Sequence, residues 1–186
     1  MPCRAVTTPV TTNVWTVRRA PGRMCHDGLL QLGNGGHSRV IRCKIGRSGI
    51  SPFKREGDGA TPLASMRLLG GYLRQSAWTV RNRELQPITN AMGWCDEPTH
   101  ACYNRPVSLP FAASHEMLER EDSLYDACLV LDWNITRRQR QRGSAIFFHL
   151  IRDDGGATAG CIAVSRRHMD RLLRNLPDRL EIRVVI

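Results

Sequence analysis

Gly143-Ser-Ala-Ile-Phe-Phe-His149 is an apolar run that ends on a histidine, and Thr158-Ala-Gly-Cys161 follows, its cysteine twelve residues after that histidine. The run reads as a buried strand, and Asp153-Asp-Gly-Gly156 turns the chain so that a cysteine comes back towards the histidine. A chain built on this feature has to lay a strand, a turn and a return side by side. A cysteine thiolate is a good nucleophile, and an imidazole within hydrogen-bond reach can take its proton and later return it to a leaving group. Gly160 permits close backbone approach, so amides near Cys161 can face a developing oxyanion. Taken alone, the same pair also describes two inert core residues.

The rest of the chain is punctuated into short strands. Residues 12–18 are β-branched and read as a first strand. Leu29 to Leu32, the turn Gly33-Asn-Gly-Gly36 and Val40 to Ile45 read as a hairpin. Residues 46–62 hold too much Gly and Pro for a helix or a central strand, and form a long ordered loop. Short strand-like pieces follow around Ser65–Leu69 and Trp78–Arg81. Gly93 to Pro110 is irregular, and Ser114 to Leu124 reads as a short helix with Ser114 as N-cap. Residues 128–134 are a strand, and Arg137–Arg142 is a charged, solvated loop. Ser165 caps a helix whose Met169, Leu172, Leu173 and Leu176 share one face, with His168 on the polar side. Pro177 stops it, and Leu180–Ile186 is a closing strand. The expected fold is mainly β (α+β), a sandwich or mixed sheet with a few short helices.

Length and charge bound the function classes. The 186 residues support one compact domain, with 1–37 as an N-terminal strand and lead-in and 38–186 as the main unit. No apolar run is long enough to span a bilayer. Met1–Arg23 lacks the apolar core of a secretory signal peptide. The net charge is +10, and Lys44 and Lys54 are the only lysines, so the charge is almost wholly arginine. Arginine forks carboxylates and phosphates, which points to an anionic partner. The arginines are scattered and no nucleic-acid motif accompanies them, so nucleic acid is not an obligatory partner. Seven cysteines occur without a CxxC pair. Cys95, His100, Cys102 and His115 match no zinc module, and no metal or cofactor is expected; a Cys95–Cys102 disulfide or two free thiols account for that stretch.

With these residues in view, Gly143–His149 and Thr158-Ala-Gly-Cys161-Ile-Ala resemble the catalytic signature of the YkuD-type L,D-transpeptidases, cysteine enzymes that remodel peptidoglycan stem peptides. Gly46-Arg-Ser-Gly-Ile and Lys54–Pro62 resemble the Gly-rich segment preceding a strand in that family. Tyr103-Asn-Arg-Pro106, Ser114-His-Glu116 and Leu124-Tyr-Asp126 resemble a compact proteobacterial branch, so that the likeness runs from about residue 38 to the end. The resemblance implies a YkuD-like fold and acyl transfer through a thioester on Cys161. His149 would be the base, the Leu150 backbone carbonyl would orient its ring, and the Gly160 amide would serve the oxyanion. It implies peptidoglycan stem peptides as partners, a 3,3-type or 1,3-type crosslink, and a periplasmic or cell-envelope location despite the missing signal peptide.

Two departures stand out. Ala159 replaces the family's common histidine before Gly160, and Ala163 stands where an arginine is common. Arg120 and Arg105 are then expected to supply the lost guanidinium, with His115, Trp94, Tyr103 and Thr158 on the substrate wall. An L,D-carboxypeptidase or endopeptidase would use the same residues with water as acceptor. A basic wall- or nucleic-acid-binding module that has lost activity is the reading from another class.

Overall fold

Alternation of apolar and polar residues writes most of this fold. In β1 (Asn13–Arg19), Trp15 and Val17 are buried while Thr16 is half-buried, as a strand with one face on a core requires. The computed structural model describes residues 12–33, 38–74 and 84–186. These are predominantly β, and the single α-helix among them is α1 (Arg166–Arg174).

One mixed sheet forms the body. β1 lies between β2 (Asp27–Leu32), antiparallel to it, and β14 (Leu180–Val184), parallel to it. The sheet continues from β2 to β3 (Arg39–Lys44), β13 (Ile162–Val164), β12 (Phe147–Leu150) and β11 (Ala127–Leu131). On the other side, β14 pairs with the first half of β6 (Ser65–Leu73), and the second half of β6 pairs with β11. The sheet therefore closes on itself, which removes the open edges that long strands would otherwise expose. β7 (Leu85–Pro87) hangs on the end of β6. The final strand is thus an interior member, held on both edges, and β1 and β2 belong to the same sheet as the rest.

The closed sheet has an apolar inside that includes Trp15, Leu30, Met66, Leu129, Phe148 and Ile162, and α1 adds Met169, Leu172 and Leu173 to it. Ser165 caps α1 as expected, its side chain accepting from the His168 amide. β11 is buried at all five positions because both of its faces are covered: Ala127, Leu129 and Leu131 point inward, Cys128 and Val130 outward. The outward layer comes from a second sheet, β10 (His115–Met117), β8 (Met92–Cys95) and β9 (Arg105–Ser108) in that order. It brings Trp94 and, beside it, Leu118 and Tyr125 against Phe147 and Cys161. Trp94 and Tyr125 both meet the Phe147 ring edge-on, at 5.2 and 5.9 Å.

Several expectations are corrected here. Ser114–Leu124 is not a helix. His115–Met117 pairs with Gly93–Cys95, because burial of Glu116 and Leu118 against the main sheet outweighs a weak local cap. Gly93–Pro110 is not irregular throughout, since β8 and β9 form an antiparallel pair around a reversal in which Asn104 has φ 56°. Pro106 is tolerated there because β9 is an edge strand. The strand expected over Gly143–His149 begins only at Phe147, because Gly143 (φ 89°) and Ala145 (φ 51°) adopt left-handed backbone that no ladder accepts. Cys95 and Cys102 are free thiols. Trp78–Arg81 and most of the Gly33–Gly36 turn lie outside the described residues. Within 46–62 the only strands are the two-residue β4 (Ile50–Ser51) and β5 (Thr61–Pro62), paired with each other.

Candidate active site

β12 and β13 run parallel, with Phe148 opposite Ile162 and His149 opposite Ala163. Side chains alternate along a strand, so Phe147 and His149 share the outward face, as do Cys161 and Ala163 next door. His149 and Cys161 are therefore diagonal neighbours, and both line one cavity of about 350 Å³ on that face. Both residues are themselves buried.

The imidazole is fixed on one side. His149 Nδ1 lies 2.7 Å from the Leu150 carbonyl oxygen. A carbonyl can only accept, so Nδ1 carries the proton and Nε2 keeps its lone pair. The Tyr125 ring meets the imidazole edge-on at 5.4 Å. Burial pushes the imidazole pKa down to about 4, against a raising contribution from the Leu150 hydrogen bond. His149 is thus a neutral base at neutral pH.

Cys161 Sγ donates to the Ala145 carbonyl at 3.1 Å and receives the Phe147 amide at 3.3 Å. The left-handed Ala145 is what aims that carbonyl. Burial pushes the thiol up to about 12, and the nearby Glu116 charge adds to this; the Phe147 amide and Lys54 work against it. The resting pair is a neutral thiol and a neutral imidazole rather than an ion pair.

The turn that carries Cys161 is clamped from two sides. Thr158 Oγ1 donates to the Cys161 carbonyl at 2.6 Å and accepts the Gly160 amide at 3.2 Å. Gly160 has φ 144°, and a Cβ there would stand 2.8 Å from the Ala60 carbonyl oxygen, so only glycine fits. Thr61, fully buried, accepts the Gly46 amide at 2.8 Å and donates to the Gly160 carbonyl at 2.9 Å. The backbone of Thr158 bridges Ile45 and Arg47. Residues 46–62 are thereby a brace for the cysteine, itself held by buried Lys54, whose ammonium donates to Asp58 at 2.6 Å and to the Arg55 carbonyl at 2.7 Å. Burial tends to raise the Asp58 carboxyl, but Lys54 and the Ala60 and Arg55 amides outweigh it and hold it low.

The residues expected on the substrate wall divide. Arg120 and Thr158 line the cavity. Arg120 is forked onto its neighbour Asp122 at 2.8 and 2.7 Å and lies over the Tyr125 ring. Thr158 acts within the turn, and the Gly160 amide is engaged by it. Trp94 and Tyr103 pack behind the cavity: the Trp94 indole donates to Asn104 at 3.0 Å, and the Tyr103 hydroxyl donates to Glu56. His115 bonds the Ala113 carbonyl at 2.8 Å and meets Phe111, and Arg105 is exposed on β9; neither lines the cavity. Sequence reasoning missed Glu56, Asp96, Glu116 and Tyr125 as lining residues and Thr61 and Lys54 as supports. Lys54 carried a signal as one of two lysines in an arginine-rich chain, and Glu56, Thr61, Glu116 and Tyr125 lay within segments that resemble the family; Asp96 carried none. Ala159 and Ala163 both border the cavity, so the two departures from the family pattern leave open space rather than a filled wall.

The L,D-transpeptidase catalytic domain model, YkuD, matches residues 27–186, and the chain belongs to that family. Among solved structures, the helical cell shape determining protein Pgp2 from Campylobacter jejuni is similar at 14% identity and a TM-score of 0.45, over 93% of this chain and 48% of that one. Its K307A mutant is similar at 14% identity and 0.46, over 93% and 46%. The chain thus spans about half the length of Pgp2. No curated protein sequence matches it.

Proposed function

We propose that this protein is a peptidoglycan L,D-transpeptidase that works through a thioester on Cys161. The observation that carries the reading is the diagonal pair of His149 on β12 and Cys161 directly before β13: both open on one cavity, with Nδ1 tied to Leu150 so that Nε2 is left as base. Nε2 takes the thiol proton as Sγ forms a bond to a stem-peptide carbonyl carbon. The tetrahedral intermediate collapses with cleavage of the C–N bond, and the imidazolium gives its proton to the departing amine. A second amine then attacks the thioester, and the thiolate leaves and recovers its proton. Because the resting thiol is neutral, proton removal and attack are concerted rather than preceded by a stable thiolate. With the Gly160 amide held by Thr158, the amide of Cys161 itself is the oxyanion donor in this reading. The substrate implies action in the cell envelope.

The test is intact-mass measurement of the protein incubated with a carbapenem, an acylating analogue of the donor. A covalent adduct on the wild type that is absent from Cys161→Ala supports the reading. Equal adduct on both proteins, or full transpeptidation by Cys161→Ala, overturns it.

A further inference from the structure

The charges around the cavity are not balanced in the way the chain's overall +10 would suggest. Each cation that lines it already has its own acid: Lys54 with Asp58 at 2.6 Å, Arg120 with Asp122 at 2.7 Å, Arg152 with Asp154 at 3.2 Å. Three carboxylates line the same cavity, Glu56, Asp96 and Glu116, and none of them stands in an ion pair among the described residues. Among the described residues Glu56 accepts from the hydroxyls of Tyr103 and Ser144, and Glu116 from Tyr125 at 2.5 Å. Asp96 Oδ1 is sealed from solvent and accepts no hydrogen bond. Burial holds the Glu116 carboxyl above its usual range; the Tyr125 hydrogen bond and the Arg120 charge pull it down, and the charges of Asp96 and Glu56 add smaller raising contributions. In a chain with 27 basic residues, carboxylates outside any ion pair beside Cys161 suit a cation brought by the substrate.

We infer that Glu56, Asp96 and Glu116 form the acyl-acceptor subsite and select an acceptor that arrives as an ammonium, in preference to water. The inference rests on the thioester chemistry proposed above. The acceptor ammonium docks against the carboxylates, and Glu116 takes one proton from it, leaving a free amine. The amine nitrogen bonds to the thioester carbonyl carbon while the carbonyl π pair moves to oxygen. His149 Nε2 removes the surplus proton from nitrogen, the C–S bond breaks, and the thiolate takes that proton back. The products are an amide and the Cys161 thiol, and Glu116 returns its proton to water.

The experiment forms the Cys161 acyl-enzyme with a stem-peptide donor, then follows its decay by intact mass at increasing L-lysine amide. Asp96→Asn and Glu116→Gln are each expected to raise the half-saturating amine concentration about 10-fold or more, and to move product from amide to hydrolysed donor. Raised salt should weaken the amine's effect on wild type and leave hydrolysis unchanged. The variants' melting curves are recorded alongside, and Asp96→Asn, whose Oδ1 has no partner to lose, keeps the test open if Glu116→Gln unfolds. Half-saturation within twofold of wild type in the folded variants overturns the inference while leaving the thioester intact. Failure of wild-type Cys161 to acylate at all instead overturns the proposed function.

Discussion

His149 Nδ1 and the Leu150 carbonyl oxygen are 2.7 Å apart, so a main-chain atom on the residue directly after the imidazole fixes its tautomer. Among the described residues no side chain bonds Nδ1. The relationship survives any substitution of the Leu150 side chain that preserves the strand. It disappears only with the histidine or with the β12–β13 pairing.

A pH dependence of stability follows. The folded imidazole stays neutral down to about pH 4, whereas in the unfolded chain it protonates near 6.5. Unfolding therefore takes up a proton between these values, and stability is fully present above about 6.5 and lost as pH falls towards 4. The loss attributable to this group is roughly 3 kcal/mol. Urea titrations of wild type and His149→Gln from pH 7.5 to 4 check it: the variant should lack this slope. A parallel decline in both proteins would show that other groups carry it.

The thiol side of the pair gives a second expectation. Cys161 is pushed up to about 12 by burial and by Glu116. Its alkylation by iodoacetamide, followed by peptide mass mapping to separate it from the other cysteines, should keep rising with pH and show no plateau below about pH 10. Glu116→Gln removes the opposing charge and should raise the rate at pH 8 to 9 by about 3- to 10-fold. A plateau near neutral pH in wild type would mean a resting thiolate and would remove the concerted step.

Thr61 supplies a test of the brace. Its hydroxyl joins the Gly46 amide to the Gly160 carbonyl in a fully buried position. Thr61→Val keeps the shape but orphans both backbone groups, costing about 1–3 kcal/mol, and frees the turn that carries Cys161. Acylation should slow by at least 10-fold, chiefly in its maximal rate, while Thr61→Ser restores most of it. Loss of stability with an unchanged acylation rate would confine Thr61 to a purely structural role.

How much of this was legible depends on where the information lies. The strands of the closed sheet were readable because burial on one face writes alternation into residues such as Trp15 and Val17, and burial on both faces writes the apolar run of β11. That Cys161 comes beside His149 was readable because β12 and the parallel strand directly after Cys161 are joined by a short connection. β8 to β10 were not, because their burial comes from a partner layer distant in sequence: Glu116 and Leu118 give no strand signal until Trp94 and Phe147 are beside them. The left-handed Ala145 was hidden as well, since nothing in an alanine announces positive φ; the Asn104 side chain that accepts its amide lies 41 residues away. The guanidiniums expected to replace the missing family arginine were legible as residues but not as pairs, since Asp122 claims Arg120 first.

The last prediction concerns Lys54, whose side chain is only 3% exposed and is neutralised by an Asp58 that is 26% exposed. Removing one member of such a pair costs more than never having built it, because the surviving charge is left in a low-dielectric pocket. Asp58→Asn leaves the buried ammonium with the Arg55 carbonyl and weakens the turn that Asp58 holds through the Arg55 and Ala60 amides. The expected cost is about 3 kcal/mol, at the lower end for a buried pair because solvent reaches Asp58. Lys54→Met, which fills the same channel beside Gly143 and Gly160 without a charge, should cost less than Asp58→Asn. The double variant should be closer in stability to Lys54→Met than to Asp58→Asn, since the stranded ammonium is gone. Denaturant unfolding of the four proteins measures this cycle directly. Equal and additive losses in the two single variants would mean that Lys54 and Asp58 are not coupled, and that the 46–62 brace is held by Thr61 and the backbone alone.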